Sequence, residues 1–207
     1  MHIGIIPDGN RRWAKRRHSS LHQAYAIGFR NVIDLALQLP KFGFRHLTFY
    51  GLTHSNYIFR PSDQVESLLS QIIDSLVVEA PLLLGNGIRI KFFGPIEQFR
   101  IGHRIDLDKI EQSTASLANP VADMNVLINY SPEWDLRAGA EHLATQSIPA
   151  CDFIFRSGRV KRLSGFLPMQ SAYAQLYFSS KLWPDVRPDD VLKVASKLSK
   201  MRRKFGA

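Results

Sequence analysis

Along the chain, short apolar runs of strand length alternate with longer segments whose apolar positions recur every three or four residues. Strand-type runs fall at residues 3–6, 46–51, 88–93, 124–129 and 153–155. Helical spacing predicts helices over 22–39, 62–84, 104–118, 133–145, 169–177 and 188–203. The segment from Ser62 is the clearest. There Val65, Leu68, Leu69, Ile72 and Leu76 form one continuous apolar stripe, and Pro61-Ser62-Asp63 supplies the proline and acid that a helix start favours. Such alternation predicts an α/β fold, with a central, largely parallel β-sheet flanked by helices. No repeat, low-complexity tract or linker interrupts it, so residues 1–207 read as a single domain.

Composition narrows the class. The chain is 45% hydrophobic and 22% charged, enough apolar material for a core and too much for disorder. Cys151 is the only cysteine, which excludes a disulfide scaffold and makes a reducing compartment the default. No window holds the roughly 20 uninterrupted apolar residues of a membrane span, and the N-terminal run is too short for a signal peptide. The expectation is a soluble, cytoplasmic protein. Its net charge of +9 is the unusual number, and it nominates an anionic partner: nucleic acid, a membrane surface or a phosphorylated molecule. The cations cluster at Arg11, Arg12, Lys15, Arg16 and Arg17, at Arg156, Arg159, Lys161 and Arg162, and at Lys200, Arg202, Arg203 and Lys204.

Two of these clusters follow strand-type runs, and open α/β sheets bind ligands beyond the carboxyl ends of their strands. The first run leads into Pro7, Asp8, Gly9, Asn10, Arg11, Arg12 and Trp13, and the second into Thr53, His54, Ser55, Asn56 and Arg60. The last leads into Arg156, Ser157, Gly158, Arg159, Lys161, Arg162 and Ser164. Arginine forks match phosphate oxygens, glycines allow close backbone approach, and helix-start amides complete an anion cradle. A lone Asp among cations suits a divalent ion bridging diphosphate oxygens better than proton transfer. The expected ligand is one diphosphate or two. Neither a P-loop nor a dinucleotide fingerprint is present, and no His/Cys cluster has zinc spacing.

These residues carry a resemblance. His2-Ile-Gly-Ile-Ile-Pro-Asp8-Gly-Asn-Arg-Arg-Trp13-Ala is similar to the opening signature of the cis-prenyltransferases, the family of undecaprenyl diphosphate synthase. Further blocks follow in that family's order: Thr53-His-Ser-Asn56 with Arg60-Pro61, Asn129-Tyr130 with Trp134-Asp135, Asp152-Phe-Ile-Phe-Arg156-Ser-Gly with Arg162-Leu-Ser164, and Ala172-Tyr-Ala-Gln-Leu-Tyr-Phe178 with Trp183-Pro184-Asp185. The resemblance spans nearly the whole chain. It implies a parallel sheet, an apolar tunnel for a prenyl chain, a homodimer, and a Mg²⁺-dependent prenyltransferase acting on allylic and acceptor prenyl diphosphates. It further implies that Asp8 is the metal ligand and that Gly9, Asn10, Arg11, Arg12 and Trp13 hold the allylic diphosphate. Asn56 and Arg60 would support the ionising bond, and Arg156, Arg162 and Ser164 would bind the acceptor diphosphate.

The departures matter as much. The family has Met where this chain has Pro7, and its Arg and His of a later block fall at Leu21 and Tyr25, which puts Tyr25 at the substrate. Its acidic metal ligand on the acceptor side is Gln175 here, and Arg159 and Lys161 bring fixed positive charge nearby. This combination resembles the lavandulyl-type branch, which implies short products joined head to middle, or cyclised, in place of regular head-to-tail Z-polyprenyl chains. Two readings from other classes stand beside it: a basic nucleic-acid-binding domain and a catalytically inactive prenyltransferase-like subunit. Plainer roles also fit parts of the pattern. Asp8-Gly9-Asn10 suits a turn and helix cap, His2, His22 and His54 suit packing or solvent, and Lys200 to Lys204 suits a helix C-terminus.

Overall fold

In a computed structural model that describes residues 1–99, 101–137 and 143–199, the five expected runs are strands. They are β1 (His2–Ile6), β2 (His46–Thr53), β3 (Ile88–Phe93), β4 (Ala122–Tyr130) and β5 (Phe153–Arg156). A sixth, β6 (Gln175–Phe178), lies where helical spacing predicted a helix over 169–177. Only α7 (Pro168–Ser171) remains of that helix. The chain after it pairs with β5 from Phe153↔Gln175 to Arg156↔Phe178, so sheet pairing overrides local propensity.

The long helices are α2 (Leu21–Gln38), α4 (Ser62–Gly85), α5 (Ile101–Ala115) and α8 (Pro188–Ser199). Two short ones escaped the periodicity: α1 (Asn10–Arg17) and α3 (His54–Phe59). Only α6 (Pro132–Leu136) appears within the helix expected over 133–145; residues 138–142 lie outside the described residues, as does the basic cluster from Lys200 to Lys204.

All strand pairs are parallel, in the order β3-β4-β2-β1-β5-β6. The first strand is central. From β1 the chain moves to one side through β2 to the edge strand β3, returns to place β4 between them, then crosses to the other side for β5 and β6. The carboxyl ends of β1 and β5 therefore flank a topological switch point, where a crevice opens.

Alternation along the strands builds two cores. Ile3, Ile5, Leu47 and Phe49 pack with the apolar faces of α2, α4, α5 and α8. Ile6, Tyr50, Leu127 and Ile154 face the other way, with Tyr130 at the end of β4 and against Ile148, Cys151, Phe166 and Leu167 from irregular segments. Helix α4 has the length and composition to cross a membrane, but Val65, Leu68, Leu69, Ile72, Leu76 and Leu83 bury its inner face in the first core. Burial pushes the Cys151 thiol up to about 12, which keeps it protonated and inert.

A polar belt crosses the amino end of the sheet. His2 donates from Nδ1 to the Pro149 carbonyl at 2.8 Å, which leaves Nε2 to accept from Thr48 Oγ1 at 2.8 Å, and Thr48 Oγ1 accepts from Asn125 Nδ2 at 3.0 Å. Burial lowers the His2 pKa from 6.5 to about 4. The unfolded chain thus takes up a proton below pH 6.5 that the folded chain refuses until about pH 4. Stability is complete above the unfolded value and is lost as pH falls through that window. The expected loss between pH 7 and 4.5 is about 2 to 3 kcal/mol from this residue. Urea unfolding at both pH values should show a pH dependence shallower by that amount in His2→Asn than in the native chain.

Candidate active site

The register of β1 on β5 determines the site. Ile6 pairs with Arg156, so Asp8, two residues beyond β1, meets the Arg156 guanidinium as β5 ends. Arg156 Nη2 contacts Asp8 Oδ2 at 2.9 Å, while Nη1 donates to the Arg162 carbonyl at 2.6 Å and to Ser164 Oγ at 2.9 Å. One helical turn beyond Asp8, Arg12 Nη2 reaches the other carboxylate oxygen at 3.1 Å. The Asp8 carbonyl accepts from Ser157 Oγ at 2.7 Å and from the Trp183 amide at 3.0 Å. This packing needs a glycine at 158: φ is +87°, and a Cβ there would lie 2.7 Å from Arg12 Nη2 and 2.9 Å from the Asp8 carbonyl oxygen.

Helix α1 begins at the same point. Gly9 precedes it with φ of 112° and no side chain caps it, so its first-turn N–H groups are open to an anion. Asn10 donates to the Pro7 carbonyl at 3.1 Å, and its own Oδ1 is buried without a partner.

From the neighbouring strand, β2 leads into α3, where Thr53 Oγ1 caps the Asn56 amide at 3.0 Å. His54 Nδ1 donates to Asn129 Oδ1 at 2.8 Å, and Asn129 Nδ2 donates to Gln98 Oε1 at 3.0 Å. Asn129 adopts a left-handed φ of 55° while holding both neighbours. Helix α3 so fixed delivers Arg60, whose Nε is buried without a partner and whose pKa is lowered by burial. Asp8 acts on this guanidinium from a distance, and a desolvated cation of this kind favours an anion beside it.

These side chains open onto one cavity of about 630 Å³. Among the described residues, its polar end holds Arg11, Arg12, Arg60, Arg156 and Arg162 against Asp8 alone, an excess of four positive charges. Phe29 and Val32 of α2, Phe49 of β2, and Leu68 and Ile72 of α4 make its walls apolar. Anion-binding chemistry and a hydrocarbon-sized recess therefore share one space.

Of the residues singled out from sequence, Asp8, Gly9, Asn10, Arg11, Arg12, Tyr25, Asn56, Arg60, Arg156, Arg162 and Ser164 line this cavity. Trp13 does not. Its Nε1 donates to Asp185 Oδ1 at 2.7 Å, which ties α1 to the Trp183–Asp185 turn. Gln175, Arg159 and Lys161 are not among the residues that line this cavity, and Gln175 opens β6 opposite Phe153. Leu21 packs against the first core. Sequence reasoning missed Trp183 as a wall residue and Gln71, the polar position among the apolar residues of α4.

The donor set also constrains any metal. Among the described residues, no three His, Cys, Asp or Glu side chains converge. Asp8 offers a single carboxylate, 30% exposed, with one guanidinium on each oxygen. Mg²⁺ keeps water and completes its octahedron with one or two carboxylates plus substrate phosphates. The residues fit Mg²⁺ that enters with a diphosphate, and they provide no cage to hold it beforehand.

Residues 6–206 match the family model described as putative undecaprenyl diphosphate synthase. An isoprenyl transferase of Chlorobaculum tepidum is 30% identical over 99% of this chain and 85% of its own length. The ditrans,polycis-undecaprenyl-diphosphate synthase of Haemophilus influenzae, (2E,6E)-farnesyl-diphosphate specific, is 29% identical over 99% and 94%. Among solved structures, lavandulyl diphosphate synthase from Lavandula x intermedia, in complex with dimethylallyl diphosphate, superposes with a TM-score of 0.91 at 23% identity, covering 100% of this chain and 98% of that one. A probable undecaprenyl diphosphate synthase from Campylobacter jejuni gives 0.78 at 20% identity, with the same coverage. The parallel sheet and its topology are thus a shared fold, and the chain belongs to the cis-prenyltransferase family as a prenyl diphosphate synthase.

Proposed function

We propose that this enzyme ionises a short allylic diphosphate, of the dimethylallyl or geranyl type, and couples it to a second prenyl diphosphate to give a short product. Coupling is head to middle, with or without ring closure. The cavity carries this reading: its space of about 630 Å³, shared between the cationic mouth and the apolar recess, is in keeping with short prenyl chains in preference to a long polyprenyl one. The closer likeness in fold to the lavandulyl enzyme, at 0.91 against 0.78, supports the same reading. The names of the sequence relatives favour a second reading, regular head-to-tail extension.

In the proposed reaction the allylic diphosphate lies on the first-turn amides of α1 with Arg12 and Arg60, and Arg156, Arg162 and Ser164 face the second diphosphate. Asp8 aligns Arg12 and Arg156 from opposite sides. Mg²⁺, when bound at Asp8, supplies positive charge to the departing diphosphate. The C–O bond breaks with its electron pair going to that diphosphate. The alkene of the second molecule forms the new C–C bond, and the resulting cation loses a proton. Burial of Arg60 and Arg156 makes their charge more effective than it would be in water. The apolar walls exclude the water that would quench the cation.

Incubation with dimethylallyl and geranyl diphosphates plus Mg²⁺, followed by dephosphorylation, mass spectrometry and NMR, tests the proposal. Branched or cyclic C10 to C15 products are expected. A ladder of regular Z-polyprenyl products on addition of isopentenyl diphosphate would establish the second reading. The family resemblance also implies a homodimer, and sedimentation velocity tests that directly.

A further inference from the structure

The two oxygens of the Asp8 carboxylate are held by unequal partners. Oδ2 takes Arg156 Nη2 at 2.9 Å, and that guanidinium is fixed: its side chain is 5% exposed, and its Nη1 is bound to the Arg162 carbonyl and to Ser164 Oγ. Oδ1 takes Arg12 Nη2 at 3.1 Å, from a side chain that is 48% exposed. Among the described residues, that is the one hydrogen bond Arg12 donates. Its Nη2 rests over Gly158, in a notch that a Cβ at 158 would close, since it would lie 2.7 Å from that nitrogen. Water competes for both ends of an ion pair this exposed, so Arg12 leaves easily. Arg156 does not, because moving it would strand a buried cation.

Arg12 is also the third residue of α1, whose first-turn N–H groups carry no side-chain cap. A diphosphate seated on those amides offers the guanidinium more negative charge than one carboxylate oxygen does, in a geometry that its fork matches. We propose that Arg12 is a displaceable stand-in for the metal: it occupies Asp8 Oδ1 in the empty site, a diphosphate draws it off, and the freed oxygen is then open to Mg²⁺. Arg12 thereby makes metal binding at Asp8 depend on diphosphate, and by linkage each ligand tightens the other by the same factor. The inference rests on Asp8 as the metal ligand of the proposed reaction and deepens it by assigning the order of loading to one side chain.

The test titrates Mn²⁺, an oxygen-seeking divalent ion visible by electron paramagnetic resonance, into the protein with no diphosphate present. Native protein is compared with Arg12→Met, with Arg12→Ala as a second neutral variant, with Arg11→Met, and with Arg12→Met combined with Asp8→Asn, each shown to be folded by circular dichroism. Arg11 lines the same cavity, so its loss removes the same charge from the mouth while Arg12 stays on Asp8. Both Arg12 variants are expected to bind Mn²⁺ at least about tenfold more tightly than native, and Arg11→Met no more than about threefold more tightly. Asp8→Asn should abolish the gain. Equal gains in the Arg11 and Arg12 variants overturn the inference and leave Asp8 as the ligand, because mouth charge alone would then govern the metal. Native affinity in both Arg12 variants overturns it in the same way. Tight Mn²⁺ binding that survives Asp8→Asn places the ion elsewhere, which overturns Asp8 as the metal ligand and the inference with it.

Discussion

Asp8→Asn is expected to lower kcat/KM for the allylic diphosphate by at least about a thousandfold, on the order of 4 kcal/mol of transition-state stabilisation. The substitution preserves the shape of the side chain and removes its charge. Three functions go together: the only carboxylate that the described residues bring to the cavity, the counter-charge that holds Arg12 at 3.1 Å, and the one that holds Arg156 at 2.9 Å. Arg156 is 5% exposed, so part of the effect appears as stability, about 1 to 3 kcal/mol for a buried cation left unpaired. Activity must therefore be assayed well below the variant's Tm. Binding in the absence of Mg²⁺ separates the roles further. Removing a negative charge from a mouth rich in guanidiniums should leave metal-free affinity for the diphosphate unchanged or tighter, while turnover collapses. Calorimetric titration beside steady-state kinetics measures both. Turnover within tenfold of native, in a folded Asn variant, would remove Asp8 from the chemistry.

The largest expected effect on folding comes from Gly94→Ala. Gly94 follows β3 at a φ of +141°, and a Cβ there would fall 1.7 Å from the Ile128 carbonyl oxygen. No rotamer relieves that clash, because the obstructing atom is backbone of the adjacent strand β4. The chain must move apart or adopt another φ, and a loss of about 3 to 5 kcal/mol is expected. At about 2 to 4 °C per kcal/mol for a chain of this size, Tm should drop by roughly 6 to 20 °C. Gly85→Ala is the control, since a Cβ there meets nothing within 4 Å. The damage should also reach the active site. Ile128 precedes Asn129, which grips His54 of α3 at 2.8 Å, and α3 delivers Arg60. A melting temperature within about 2 °C of native would show that the strand ends are looser than this packing implies.

The strands were legible in the sequence because buried parallel strands announce themselves as β-branched and aromatic runs bounded by polar turns. Helix α4 was legible from its stripe. Helix α1 was not, since Asn-Arg-Arg-Trp-Ala-Lys-Arg-Arg has almost no apolar face to bury and is placed by its neighbours. Strand β6 read as helix because Ala172-Tyr-Ala-Gln-Leu mixes helix formers at helical spacing, and only the backbone of β5 makes it extended. For the site, position after a strand was enough to nominate Asp8, Arg12, Asn56, Arg60, Arg156 and Arg162. What sequence could not supply was register: Ile6 opposite Arg156 is what turns two distant clusters into one pair. Trp13 was placed at the diphosphate by the resemblance alone, and only the folded chain shows its N–H donating to Asp185.

Five guanidiniums held around one carboxylate make the ligand-free protein an internally repelling assembly. Dissolved salt screens such repulsion over about 8 Å at physiological ionic strength. Salt therefore acts in opposite senses on two properties of the same residues, firming the empty fold while loosening its hold on diphosphate. An anion that occupies the mouth stabilises the native state by mass action, by an amount that grows with the logarithm of its concentration. Thermal stability in this enzyme is thus coupled to the supply of its own substrate: the starved molecule is the fragile one, and heat or proteolysis finds it first.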